Sequence, residues 1–345
     1  MRHNYAILSG LAALLMTTSV ILVLPPVYGE TFEQPRGPWV DRLVWSDQAD
    51  AALALEHIKD DQADFFMGSI GAQREEALLA SNVLTYSGSS RPRSLLVNPN
   101  EQQPGLPWNP FTDAQIREAL NWLIDRIHII QVVYEGSASV VLTPFAPGSA
   151  DYLREPILFS QLERQYAADF ALAENIIDQR MVAANASIGS SGFWEDGMGR
   201  VIDLVVITRI EDEREEIGNY VAAQLRALDF RVTVRHLTSA WAIPLVYGGD
   251  PSIGDWHIYT EGWSGPTGAT WDDEAISESH NCAFEPFCAR FGPPGTYSPP
   301  QDFDDDATTL ANGLYSSLAE RQALIRDLTP RILSETNYRM WLVAE

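Results

Sequence analysis

The chain has 345 residues, enough for two domains or one large one, and its 46% hydrophobic and 10% aromatic content supplies a real core and argues against wholesale disorder. The formal charge is −24, with Lys59 the only lysine. Such a surface excludes nucleic acid and an anionic membrane face as partners, because both need a basic patch.

The chain opens on a short basic stretch, "MRHNY", followed by the uncharged apolar run "AILSGLAALLMTTSVILVLPP" and the small residue Gly29. This pattern predicts a secretory signal or an N-terminal anchor over residues 1–29, and with it an extracytoplasmic location. No cysteine lies near it, which excludes a lipid-modified cysteine anchor. Residues 30–40 read as a linker. "DRLVWS" (41–46) and "ADFFMG" (63–68) are short strand expectations, with an Ala/Leu-rich helix between them that ends near Lys59. Residues 89–110 read as a strand and a loop rich in Pro and Asn.

A long amphipathic helix is expected from Thr112 to Gly136. Thr112 and Gln115 suggest a capping box, Ile116, Ala119, Leu120, Leu123, Ile124, Ile127 and Ile130 recur at helical spacing, and Gly136 stands at the C-cap. "YAADFALAENIIDQRMVAA" (166–184) is a second helix, and "GFWEDGMGR" (192–200) a Gly-rich turn. "VIDLVVIT" (201–208), the acidic-headed helix after it and "RVTVRHL" (231–237) form a βαβ crossover, the first strand β-branched as a buried parallel strand is. A helix over "SAWAIPLVYGG" and a strand over "DWHIYTEGW" (255–263) follow. Residues 264–303 are rich in Gly, Pro and Ser, and residues 303–335 read as a final helix pair.

Few motifs carry chemistry. "GWSGP" has Pro266 where a nucleophile elbow needs its second glycine. "DFDDDATTLANG" has Ala307 and Gly313 where a calcium loop needs Gly and Glu, and reads as an acidic helix start. Asp272, Asp273 and Glu274 are adjacent in one loop, whereas a glycosidase needs two carboxyls facing across a bond. His128, His236 and His257 lie in separate elements with no nucleophile at a readable spacing. Asn185-Ala186-Ser187 is a lone glycosylation sequon. Cys282 and Cys288 fit a local disulfide. Free thiols and a metal site with His280 are the alternatives, the last lacking a fourth ligand. No metal or other cofactor is expected. Trp263 ends a strand and opens a loop, the place where open α/β sheets hold ligands, and an indole face suits sugar rings and peptide side chains; core packing is its other reading.

Three stretches in order, "LVWSDQADAALALEHIKDDQADFFMG", "IREALNWLIDRIHIIQVVYEG" and "IGNYVAAQLRALDFRVTVR" followed by "DWHIYTEGW", resemble the extracellular solute-binding proteins of family 5. Arg117, Ala119, Ile124, Asp125 and Arg126 match that family's central helix, Asp64 the acid of its early strand, and Arg321 its last helices. The resemblance implies an α/β periplasmic-binding-protein-like fold with two lobes (type II), here with the first lobe incomplete. Residues 30–111 would be a partial first lobe and 112–345 the second. It implies a non-catalytic, extracytoplasmic component of an ABC transporter, with a peptide or oligosaccharide as the bound small-molecule solute and permease subunits as partners. Trp263, Ser264, Trp271 and Asp272 are the expected ligand contacts. Arg117, Asp125 and Arg126, with Cys282 and Cys288, are the expected framework. Family members that bind peptides carry an acid soon after the tryptophan; here "SGPTG" follows Trp263, which favours neutral ligands. Two other readings are a remnant or surface interaction module without a transport role, and an extracellular hydrolase, which would need a convergent carboxylate pair.

Overall fold

A computed structural model describes residues 42–48, 50–67, 70, 74–80, 82–85, 92–263, 271–280 and 298–344. The chain divides into two compact units, Met1–Asp47 and Gln48–Glu345. In the first unit, the described residues 42–47 form no strand, against the expectation for 41–46; the apolar run behind the predicted signal lies outside the described residues. Among the described residues no helix is long and apolar enough to cross a membrane.

The second unit begins with helices α1 (Ala51–Lys59) and α2 (Arg74–Leu79), joined by a bond from Lys59 Nζ to Glu76 at 2.8 Å. Asp50 caps α1 by accepting from the amides of Ala52 and Leu53. Residues 63–67 are not a strand, so that expectation fails: Phe65 and Met67 stay exposed and have no sheet face to bury.

The framework is a six-stranded mixed sheet. Its strands are β1 (Pro92–Val97), β2 (Ser139–Val140), β5 (Asp203–Arg209), β6 (Arg231–Leu237), β7 (Ile258–Gly262) and β8 (Arg339–Ala344), in the order β2-β8-β1-β7-β5-β6. A two-residue hairpin, β3 (Ser187–Ile188) with β4 (Trp194–Glu195), stands apart and accounts for the expected Gly-rich turn. β5 runs parallel to both β6 and β7, and β1 runs antiparallel to both β7 and β8. β1, assigned to the first lobe, lies between β7 and β8 of the supposed second lobe and is buried at all six positions.

Side chains alternate across the sheet, as its pleat requires. Leu95 and Val97 of β1 join Leu204, Val206, Ile258, Met340 and Leu342 on one face; Leu96 joins Ile207 and Tyr259 on the other. The first face is covered by α3 (Ala114–Leu123), α6 (Phe170–Ala183) and α7 (Arg214–Ala227). Gly218 lets α7 close onto the sheet: a Cβ there would lie 2.2 Å from Thr208 Cγ2 and 3.1 Å from Thr260 Cγ2. The second face receives α8 (Ser239–Gly248) through Ala242 and Val246. Helices α4 (Ala150–Arg154), α5 (Pro156–Gln165), α9 (Ala275–His280), α10 (Gln301–Ala311) and α11 (Leu318–Ser334) complete the unit; Phe159, Ile276, Phe303 and Leu328 build a satellite core from four of them.

The long helix expected over 112–136 is two pieces. Asp113, not Thr112, caps α3, accepting from the amides of Gln115 and Ile116; the Thr112 hydroxyl instead donates to the Asn109 carbonyl. Ile124 is extended, and Asp125 starts a new turn by accepting from the amides of Ile127 and His128. A short carboxylate competes for backbone amides, so Asp at this point favours a new helix start over a continuous one. The second piece, Arg126–His128 running into a π turn at Ile129–Val133, ends before Gly136, whose φ of 85° is the left-handed value a glycine meets without strain.

Candidate functional site

The carboxyl end of β7 carries Glu261 and Trp263, and register sets what surrounds them. Ser94 of β1 is opposite Glu261, and Arg339 opens the next strand, β8. Glu261 and Arg339 are 3% and 1% exposed, so each charge depends on the other. Arg339 reaches Glu261 at 2.8 and 3.3 Å. The same carboxylate accepts from Ser94 Oγ (3.0 Å), Trp263 Nε1 (2.8 Å) and Tyr247 OH (2.5 Å). Burial alone would raise this carboxyl's pKa; the Arg339 charge and these hydrogen bonds outweigh it and hold it below the usual range. Tyr247 shifts the opposite way, raised by burial and by Glu261. Arg339 also donates to the Ser279 carbonyl at 2.6 Å, and its guanidinium lies 4.4 Å from the centre of the Trp263 ring. The indole of Trp263 is thus fixed by its N–H and by a cation, and remains partly exposed.

A second arginine organises the neighbouring segment. Arg321 of α11, 1% exposed, binds Asp151 of α4 at 2.5 and 3.2 Å and Asp273 at 2.6 Å. Asp273 also accepts from Tyr315 OH at 2.7 Å. Trp271 leans on this group: its ring centre is 4.2 Å from the Arg321 guanidinium carbon and 4.6 Å from that of Arg154. It remains 39% exposed. The backbone N–H of Asp272 donates to Asp151 at 3.2 Å. Burial and the nearby Asp151 and Glu274 charges raise the Asp272 pKa, opposed by the amides of Ala275 and Glu274 at the start of α9.

Helix α9 ties the two groups together. It starts beside Asp272 and ends with Ser279 on Arg339 and His280 on Trp341. His280 accepts from Trp341 Nε1 at 3.2 Å, which leaves its other nitrogen to donate to Thr336. Burial and the Arg339 charge drive its pKa well below the ordinary value, so it is neutral.

In both groups the buried charges are paired, and the two indoles reach the surface beside the exposed Arg154 and the partly exposed Asp273. Asp151 and Asp273 converge on a shared guanidinium rather than across an open gap, so they lack the arrangement a hydrolase needs. Of the expected ligand contacts, Trp263, Trp271 and Asp272 fall here, on two groups joined through α9; Ser264 lies outside the described residues, as do Cys282 and Cys288. Sequence reasoning missed Glu261, Arg339 and Asp151. The available signal was a charge inside an apolar strand, Glu261 in "HIYTEGW" and Arg339 before "MWLVA", because such a charge is buried only with a partner.

The expected framework residues sit under β8. Arg126 donates to the Trp341 carbonyl at 2.9 and 2.7 Å and to Asn121 Oδ1 at 2.7 Å, and burial lowers its pKa to about 9. Arg117 reaches Asn337 Oδ1 (3.0 Å) and the carbonyls of Phe111 (2.7 Å) and Thr112 (3.1 Å). The contacts of Arg126 are with carbonyl and amide groups, and Asp125 acts as a cap.

The sequence profile described as bacterial extracellular solute-binding proteins, family 5 Middle, matches residues 19–277. No curated protein sequence matches the chain. Among solved structures it is similar to the oligopeptide-binding protein AppA from Bacillus subtilis in complex with a nonapeptide (TM-score 0.63, 16% identity, 86% of this chain and 53% of that one). It is also similar to NikZ from Campylobacter jejuni in complex with Ni(L-His) (TM-score 0.60, 15% identity, 86% and 53%). A third is a periplasmic oligopeptide-binding protein from Thermotoga maritima with mannohexaose bound (TM-score 0.59, 13% identity, 84% and 52%). These likenesses show the fold, and the chain spans about half the length of the structures it matches.

Proposed function

This chain belongs to the bacterial extracellular solute-binding proteins, family 5, a non-catalytic, extracytoplasmic family, and from that premise we propose that its Trp263–Trp271 surface is one wall of a solute-binding cleft. The observation that carries the reading is the pair of partly exposed indoles, each backed by a buried arginine whose own charge is already neutralised. Such a wall offers flat apolar faces, with the exposed cation Arg154 beside Trp271. That suits the faces of sugar rings and the side chains of a peptide better than a charged terminus. The solute is an oligosaccharide or a peptide. The first is favoured because no acid follows Trp263 within "SGPTG", and a relative of this fold holds mannohexaose.

A facing wall from the other lobe completes the cleft, and closure of the two walls presents a surface to an ABC permease. Export is directed by the apolar run before Gly29. The test is calorimetric titration of the exported protein with mannohexaose and with a nonapeptide, repeated on Trp263→Ala and Trp271→Ala. Saturable binding of one of them, weakened roughly tenfold or more by each substitution, is expected. Binding that ignores both substitutions would remove this surface as the wall.

A further inference from the structure

A second hollow, about 400 Å³ in volume, opens where α3 ends and α6 begins, and shares no lining residue with the Trp263–Trp271 surface. Its walls include Trp122, Asp125, His128, Phe170, Tyr220 and Gln224. Four of these are aromatic rings, and three of the four are held by contacts within the protein. Trp122 donates its indole N–H to the Gln165 carbonyl (2.7 Å) and stacks on Tyr166 at 4.9 Å; His128 stacks on Tyr220 at 4.6 Å. The Tyr220 hydroxyl is engaged by the amide of Asp125 at 3.0 Å.

The single carboxylate on this wall is only half used. Asp125 Oδ1 takes both capping amides, from Ile127 (2.8 Å) and His128 (3.1 Å), while Oδ2 makes no hydrogen bond or ion pair among the described residues. No lysine or arginine lines the hollow. An adjoining hollow of about 370 Å³ shares Asp125 and Ala168 but is lined by Arg126 and Arg164, so a cation is excluded from that side and favoured on the aromatic side. The chain's charge of −24 adds a general attraction for cations.

We propose that the aromatic hollow binds a small organic cation, an alkylated or quaternary ammonium head, with Asp125 Oδ2 opposing its charge and the rings covering its methyl groups. Aromatic faces attract such cations through their quadrupole, and a carboxylate at the rim supplies the counter-charge. This site is independent of the solute cleft, so either can fail without the other.

The test is calorimetric titration of the full chain at about pH 8, where free imidazoles are neutral. The probes are choline, tetramethylammonium and dimethylbutanol, the uncharged carbon isostere of choline. Saturable binding of both cations is expected, with the isostere weaker by roughly tenfold or more. Asp125→Asn keeps the cap, since Asn caps as well as Asp, but removes the charge; it is expected to weaken choline roughly tenfold at an unchanged melting temperature. Phe170→Ala is expected to weaken it as well, while Trp263→Ala leaves it unchanged. No saturable binding of either cation, equal binding of the isostere, or full binding by Asp125→Asn would each overturn the proposal.

Discussion

Glu261 and Arg339 show how a single buried pair can set a surface. Neither charge has access to water, so removing one strands the other in a medium that solvates it poorly. Arg339→Met keeps the side-chain volume but leaves Glu261 with only neutral donors. It should cost about 3–5 kcal/mol in urea unfolding, and the double variant with Glu261→Gln should recover part of that. A loss below about 1 kcal/mol would mean that water reaches the pair. His257 is a second residue with a stake in being neutral. Its Nδ1 accepts from the Val205 amide at 3.0 Å, and burial lowers its pKa to about 4. The folded protein therefore refuses a proton that the unfolded chain takes up near pH 6.5. Stability is fully present above pH 6.5 and falls as pH drops toward 4, by about 3 kcal/mol from this residue, with His280 acting in the same direction. Urea midpoints measured across that window check the sign; a flat profile would contradict it.

At the scale of elements, the contact of α7 with the sheet depends on Gly218. In an exposed helix Gly→Ala stabilises by about 1 kcal/mol. Here the added methyl meets Thr208 at the heart of the α7–β5 contact, so Gly218→Ala should destabilise by about 1–3 kcal/mol, read as a lowered melting temperature. This crossover was also the most legible part of the chain. The strand expected at 201–208 forms over Asp203–Arg209, and the one expected at 231–237 forms over those residues, because β-branched runs around an amphipathic helix have few other ways to bury themselves. β8 was not foreseen. All six of its residues are buried, but "RMWLVA" is short, led by an arginine and has no alternation to mark it. The break at Ile124–Asp125 was hidden because the apolar spacing continues through it, and only the carboxylate at Asp125 signals a second start. Of the site, the strand-end place of Trp263 could be read, since it depends on local pattern. What holds Trp263 and Trp271 could not: Glu261 and Arg339 are 78 residues apart, and Arg321 and Asp151 are 170 apart, distances over which spacing says nothing about contact.

For the whole molecule, the net charge of −24 and the sheet architecture act at different ranges. Surface charge governs solubility and the attraction of counter-ions, while the fold depends on pairings between distant parts of the chain. The sheet depends on them most: β8 pairs with β1, with Pro92 opposite Ala344, and among the described residues β2 pairs with β8 alone. As the protein is being made, β1 must wait for that partner until residues 339–344 have emerged from the ribosome. Contacts this remote in sequence are also slow to form once available. Until that strand arrives the sheet stays open, with β1 bonded along one edge alone and the nascent chain held short of its folded form.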